Sequence, residues 1–210
     1  GSDNYMNLGD NFVQEGLAYR ITPFNTKAPG AKNFDTEKVY NNVMNRFKWG
    51  GLDKPGLYID ETVMRMCYTH RHLLAQLAMQ LIAEGQNAKA EKVLRKAEKV
   101  LPEYNVPYTF MSGAADMARA YALIGKKADA ARILNKVWAD AKSYADYYLQ
   151  LTGSRFMMSQ NDVLRQLYIM QNIADITQAC DHSLADQRLK TVNALYAVYQ
   201  AKGGAPYDGE

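Results

Sequence analysis

Two glycines forty residues apart, Gly85 and Gly125, each separate two runs of apolar residues at helical spacing. That arrangement constrains the fold more than any other feature of the chain. Before Gly85 the series Val63, Cys67, His70, Leu74, Leu77, Leu81 steps by four and three, which lines one face of a long helix. After it come Ala90, Val93, Leu94, Ala97, Val100 and Leu101, and Pro102 cannot continue a helix. Met117, Ala118 and Tyr121 precede Gly125, and Ala130, Leu134 and Val137 follow it. Glycine enters the left-handed conformation that closes a helix, so each glycine predicts the bend of a helical hairpin. A hairpin of this kind has an apolar face that it cannot bury alone.

The flanking signals agree. Asp60 stands where its carboxylate can accept the first free amides of a helix, and Ile59 and Met64 hold the two positions of a hydrophobic staple. Ser159 to Asp162 and Ser183 to Asp186 carry the spacing of a capping box and predict a third helix pair. Val39, Tyr40, Val43, Met44 and Phe47 predict a helix over 35–48, and Asp53-Lys54-Pro55-Gly56 predicts a turn. Residues 1–34 read as an irregular or extended arm, and 203–210 as a flexible tail. The expected fold is all-α: one helical-repeat domain over 35–202, with hairpins at about 60–102, 112–150 and 159–201.

At 210 residues the chain is long enough to bury a core without a metal or a disulfide framework. No run of residues is apolar for long enough to span a bilayer. A formal charge of +3 is too mild to announce nucleic-acid binding. The two cysteines exclude a disulfide scaffold but leave a single bridge open. The chain opens on Gly1-Ser2-Asp3 and not on methionine, so the lack of a targeting signal counts for little.

Leu74, Leu77, Ala78, Leu81, Ala90, Leu94, Ala97 and Pro102 occupy the signature positions of a tetratricopeptide repeat. Met117, Ala118, Tyr121, Ala130 and Leu134 fit a second copy, in which Ala114 replaces the usual tryptophan and Lys142 the closing proline. The resemblance implies hairpins stacked into an α-solenoid, a right-handed superhelix with a concave groove. A further resemblance rests on Gly16 to Phe24, Asn45 to Asp53, Lys54 to Arg71 and Tyr104 to Tyr108. These strings resemble the soluble C-terminal region of a bacterial family of multi-spanning membrane proteins. The membrane part of that family is similar to glycosyltransferases of the protein O-mannosyltransferase type. The resemblance implies a membrane-tethered protein with this domain in the periplasm, next to its own membrane-spanning region. It supplies no catalytic residue for this portion.

Candidate sites are few. His70 and His72 lie two apart, which on a helix turns them about 200° from each other, so they cannot share a metal ion. His70, on the apolar stripe, reads as a hydrogen-bonded core histidine. Asp60-Glu61 reads as a cap plus a favourable charge at a helix N-terminus. Lys89, Lys92, Lys96 and Lys99 form a basic stripe, either a solvated outer face or a contact for an anionic lipid surface. In the tetratricopeptide register His72, Met79 and Arg119 line the groove, with Tyr104 and Tyr108 at its rim. The alternative is that these residues pack against the arm or the third pair. Phosphate loops, nucleophile elbows and Cys-x-x-Cys pairs are all missing from the sequence.

The expectation for function is therefore a non-catalytic interaction or accessory domain that needs no cofactor. It would hold a peptide, a glycan or a partner protein. A scaffold that assembles the membrane part is the first alternative, and an enzyme of unknown type the second.

Overall fold

A computed structural model of the chain describes residues 8–205. The described residues are mostly helical, with eight helices and two short strands. The chain divides between Val106 and Pro107, between the hairpins expected at about 60–102 and 112–150, into two compact units. The arm belongs to the first of them.

In the first unit, β1 (Phe12–Gln14) and β2 (Tyr19–Ile21) pair antiparallel with Val13 opposite Arg20. The predicted arm thus holds a small hairpin, and Gln14 also bridges in parallel to Phe34. Helix α1 (Thr36–Asn41) starts at Asp35, whose carboxylate accepts from the Lys38 amide. The helix expected over 35–48 is shorter than its apolar spacing suggests. After Asn41 the chain widens into a π-helical turn, Asn42–Arg46, and Phe47 is already extended. Lys96, from a distant helix, donates to the carbonyl of Met44 inside that turn, a hydrogen bond the local sequence cannot encode.

Helix α2 (Glu61–Ala83) begins as predicted, with Asp60 Oδ1 accepting from the amides of Thr62 and Val63. Its stripe packs on α3 (Asn87–Val100): Leu74, Leu77, Ala78 and Leu81 are wholly buried, as are Ala90, Val93, Leu94 and Ala97. Val63, at the start of the stripe, is exposed.

The second unit contains α4 (Ala114–Leu123), α5 (Lys127–Gln150), α6 (Gly153–Met158), α7 (Gln160–Gln178) and α8 (His182–Ala201). Helix α5 packs on α4 and on α7, and α7 packs on α8. Alanines allow the close approaches: Ala130, Ala141 and Ala145 are wholly buried on α5. Toward the end of α5, Leu149, Phe156, Val163, Leu167 and Tyr199 form one cluster.

The two predicted bends are the same structure. Gly85 and Gly125 have φ of +73° and +78°. In each, the amide after the glycine returns to a carbonyl five residues back, Gln86 to Leu81 at 2.7 Å and Lys126 to Tyr121 at 2.9 Å. This is the Schellman closure, which needs a left-handed residue and so favours glycine. Gly203 closes α8 the same way, and Gly204 lies directly against the ring of Tyr199, whose hydroxyl donates to Ala205 O at 2.8 Å. Residues 203–205 are therefore pinned, which corrects the expectation of a tail free from 203 onward; 206–210 lie outside the described residues.

The two serine capping boxes do not form. Ser159 caps nothing with its side chain, and its hydroxyl donates back to Arg155 O. Helix α8 is capped by Asp181, which accepts from the Leu184 amide, so Ser183 falls inside the first turn. At α8 the carboxylate two residues earlier is the better acceptor for the free amides.

Candidate functional site

The residues predicted for the groove divide between the units. His72, Met79 and Tyr104 lie in the first, Tyr108 and Arg119 in the second. His72 is exposed and Met79 half-buried on α2. Tyr104 is 63% exposed, and its hydroxyl donates to Asp53 O at 2.5 Å, fixing the turn that sequence reading placed there. Its neighbour Asn105 holds the same turn more firmly, donating to Leu52 O and Lys54 O at 2.7 and 2.6 Å. Tyr108 is not a rim residue: at 5% exposure its ring is packed inside. Arg119 donates to Asn172 on α7 at 2.9 Å, so it faces the third helix pair, one of the two alternatives the sequence allowed.

The other motifs resolve locally. The two imidazoles behave differently, His70 half-buried and His72 exposed. His70 Nδ1 lies 2.6 Å from Met66 O. A carbonyl only accepts, so Nδ1 carries the proton. The rings of Phe47 and Trp49 flank it edge-on. Glu61 pairs with Arg65 one turn on. Among the described residues no group of three or more histidine, cysteine or acidic side chains is placed to hold a metal ion. Cys67 and Cys180 are free thiols, and burial pushes both up in pKa. The lysine stripe is partly used internally. Lys89 pairs with Glu37 at 2.6 Å and lies over the Tyr40 ring, and Lys96 holds the π-turn, while Lys92 and Lys99 stay exposed.

Beside the exposed side of α2 the structure places what the sequence did not reveal. Gln76, one turn beyond His72, faces Gln14 of β1, with Nε2 3.4 Å from Oε1. Between the hairpin and α2 a cavity of about 680 Å³ opens, lined by Phe12, Gln14, Tyr19, Asn33 and Gln76 among others. At its edge Lys27 pairs with Asp10 at 2.6 Å. Behind it, on the hairpin, Glu15 accepts from Lys38 and Arg20, both at 2.5 Å, and these two cations hold its carboxyl below the usual range, Lys38 most strongly. Glu84, after α2, accepts from Thr36 and Lys32, and its pKa is lowered, first by the Thr36 hydroxyl.

Two buried arginines were also missed. Arg71 donates to Leu101 O and Val106 O. Arg188 donates to Thr177 and Asn135 and lies 5.0 Å from the centre of the Trp138 ring; burial lowers its pKa. The signal was present, since Arg71 is four after Cys67 and three before Leu74, and Arg188 is four before Val192. Both stand on apolar faces, where an arginine must find carbonyls or rings.

No protein-family model, curated protein or solved structure matches the chain. No helix among the described residues is long and apolar enough to cross a membrane.

Proposed function

We propose that this chain is a non-catalytic interaction domain built from tetratricopeptide-like hairpins, the periplasmic accessory part of a membrane-tethered, glycosyltransferase-like protein. It holds a peptide, a glycan or a partner protein on the groove side of its hairpins. The observation that carries the reading is the repeated bend, the same closure at Gly85 and at Gly125. Such hairpins present a rigid helical face on which side chains are spaced for docking. In the first unit that face carries His72 and Met79 on α2. The non-catalytic part of the reading is supported by the uses of the titratable groups: Asp60 caps, Glu61 pairs with Arg65, and His70 donates to a helix carbonyl.

The test is photo-crosslinking from position 72 in the membrane-tethered protein. The expected product is an adduct with a peptide, glycan or protein that fails to form when Met79→Glu is added. An adduct that persists with Met79→Glu, or crosslinks to bulk lipid alone, would overturn the assignment.

A second reading, a scaffold for the membrane part, is favoured by one feature of the second unit. Tyr144, Tyr147, Met157, Met158 and Tyr168 are all exposed on α5, α6 and α7. Aromatic and methionine side chains are enriched in protein interfaces.

A further inference from the structure

We infer that the cavity between the β-hairpin and α2 is a saccharide-binding site for one or two neutral sugar rings. Its volume, about 680 Å³, lies within the range of small-ligand sites. Its walls are of two kinds. Phe12 and Tyr19 present aromatic rings 6.2 Å apart and tilted 62° to each other. Tyr19 is 59% exposed on β2, so its ring is open to a ligand. Gln14, Asn33 and Gln76 present planar carboxamides. A pyranose has two matching features: C–H groups on the faces of its ring and adjacent hydroxyls around the edge. Aromatic rings pack on the first. Carboxamides, each carrying donors and an acceptor, read the second, because every hydroxyl both donates and accepts.

The Gln14 amide is held ready for this. Gln14 Nε2 donates to Gly16 O at 3.0 Å, which leaves Oε1 turned toward Gln76. The backbone of Gln14 is fixed on both sides, its amide donating to Asn33 O and its carbonyl accepting from Asp35. The Gln76–Gln14 contact, at 3.4 Å, is longer than a good hydrogen bond. A ligand hydroxyl inserted there gains two partners and displaces little.

Charge argues against other ligands. Lys27 on the cavity wall is already paired with Asp10, so a phosphate or carboxylate would have to compete for it. An acyl chain would strip water from the Asn33 and Gln76 carboxamides and return no partner, which disfavours it. The proposal does not need the tetratricopeptide reading, since the cavity lies within the first unit whatever docks on His72.

The experiment is a titration of the ¹⁵N-labelled chain with mannotriose, cellotriose and chitotriose, and with glucose 6-phosphate and inorganic phosphate as charged comparators. At least one trisaccharide should move the side-chain amide signals of Gln14, Asn33 and Gln76 saturably, with Kd near ~1 mM. Gln76→Ala and Tyr19→Ala remove exposed groups, so both should fold, and each should weaken binding about three- to tenfold. Three outcomes overturn the inference: no binding at about twenty times that concentration, equal or tighter binding of the charged comparators, or unchanged affinity in both variants. Shifts centred on the smaller cleft between α7 and α8, at Gln171 and Asn193, would overturn it as well. Loss of the position-72 adduct would leave this result standing, so the two readings fail separately.

Discussion

Arg71, wholly buried on α2, places Nη2 2.5 Å from the carbonyl oxygen of Val106, thirty-five residues along the chain. The same nitrogen donates to Leu101 O at 3.1 Å. A single cation thereby closes the carbonyl end of α3, where positive charge is favoured, and ties down the loop after Pro102. Hydrogen bonds to a charged group contribute about 1.5–3 kcal/mol each. Arg71→Met should therefore destabilise the first unit by about 3 kcal/mol. Arg71→Lys should recover only part of that, because an ammonium lacks the guanidinium fork. Urea unfolding followed by Trp49 fluorescence, with Trp138→Phe removing the second unit's signal, measures it. A loss below about 1 kcal/mol would refute the role.

The glycine bends separate backbone strain from crowding. A Cβ at Gly85 or Gly125 would meet nothing within 4 Å, whereas one at Gly204 would drive into the Tyr199 ring. Gly85→Ala and Gly125→Ala should each cost about 1–2 kcal/mol, the price of a left-handed alanine alone. Because the two closures are alike, the two losses should match within about 0.5 kcal/mol. Gly204→Ala should cost more and release the Tyr199–Ala205 hydrogen bond, visible as faster amide exchange at the end of α8. Unequal losses at 85 and 125 would show that the two bends differ in energy despite their shared geometry.

What the sequence made legible was whatever a few neighbouring residues decide. Asp60, the two bends and the buried stripe of α2 follow from spacing alone. Residues 12–21 were opaque because strands of three residues carry too little alternation to show a period. The π-turn after Asn41 and the pairing of Lys89 with Glu37 depend on partners about fifty positions away. The candidate site was hidden for the same reason: Gln14 and Gln76 are 62 residues apart and meet only in the folded chain. Arg71 and Arg188 were within reach. Each breaks an apolar stripe at a core position, and a charge there has to be buried with its partners.

Asp140 gives a stability difference that depends on pH. Its Oδ2 accepts from the Phe110 amide at 2.9 Å, but burial outweighs that bond and raises its pKa above 3.8. A carboxyl raised on folding contributes stability below its unfolded pKa and loses it as pH climbs through the raised value. At neutral pH the ionised form is therefore a net cost. Asp140→Asn keeps an acceptor for Phe110 and removes the half-buried charge. Its thermal midpoint should exceed the parent's by an amount that grows from about pH 4 upward and then levels off. A gap that shrinks with rising pH would reverse the assignment of burial as the dominant effect.

The caps provide the last comparison, between carboxylates that accept amides and serines that do not. Asp60 accepts from two amides at 2.8 and 3.1 Å, and Asp181 from one at 3.0 Å. Removing such an acceptor leaves helix amides to water and weakens the favourable charge at the N-terminus, typically costing about 1 kcal/mol. Ser159 instead donates to Arg155 O, a bond made within its own helical segment, and Ser183 lies inside the first turn of α8. Asp60→Ala and Asp181→Ala should each lose about 1 kcal/mol in urea unfolding. Ser159→Ala and Ser183→Ala should stay within about 0.5 kcal/mol of the parent. If Ser183→Ala cost as much as Asp181→Ala, the start of α8 would be set by the serine spacing after all, and the carboxylate would be only a bystander.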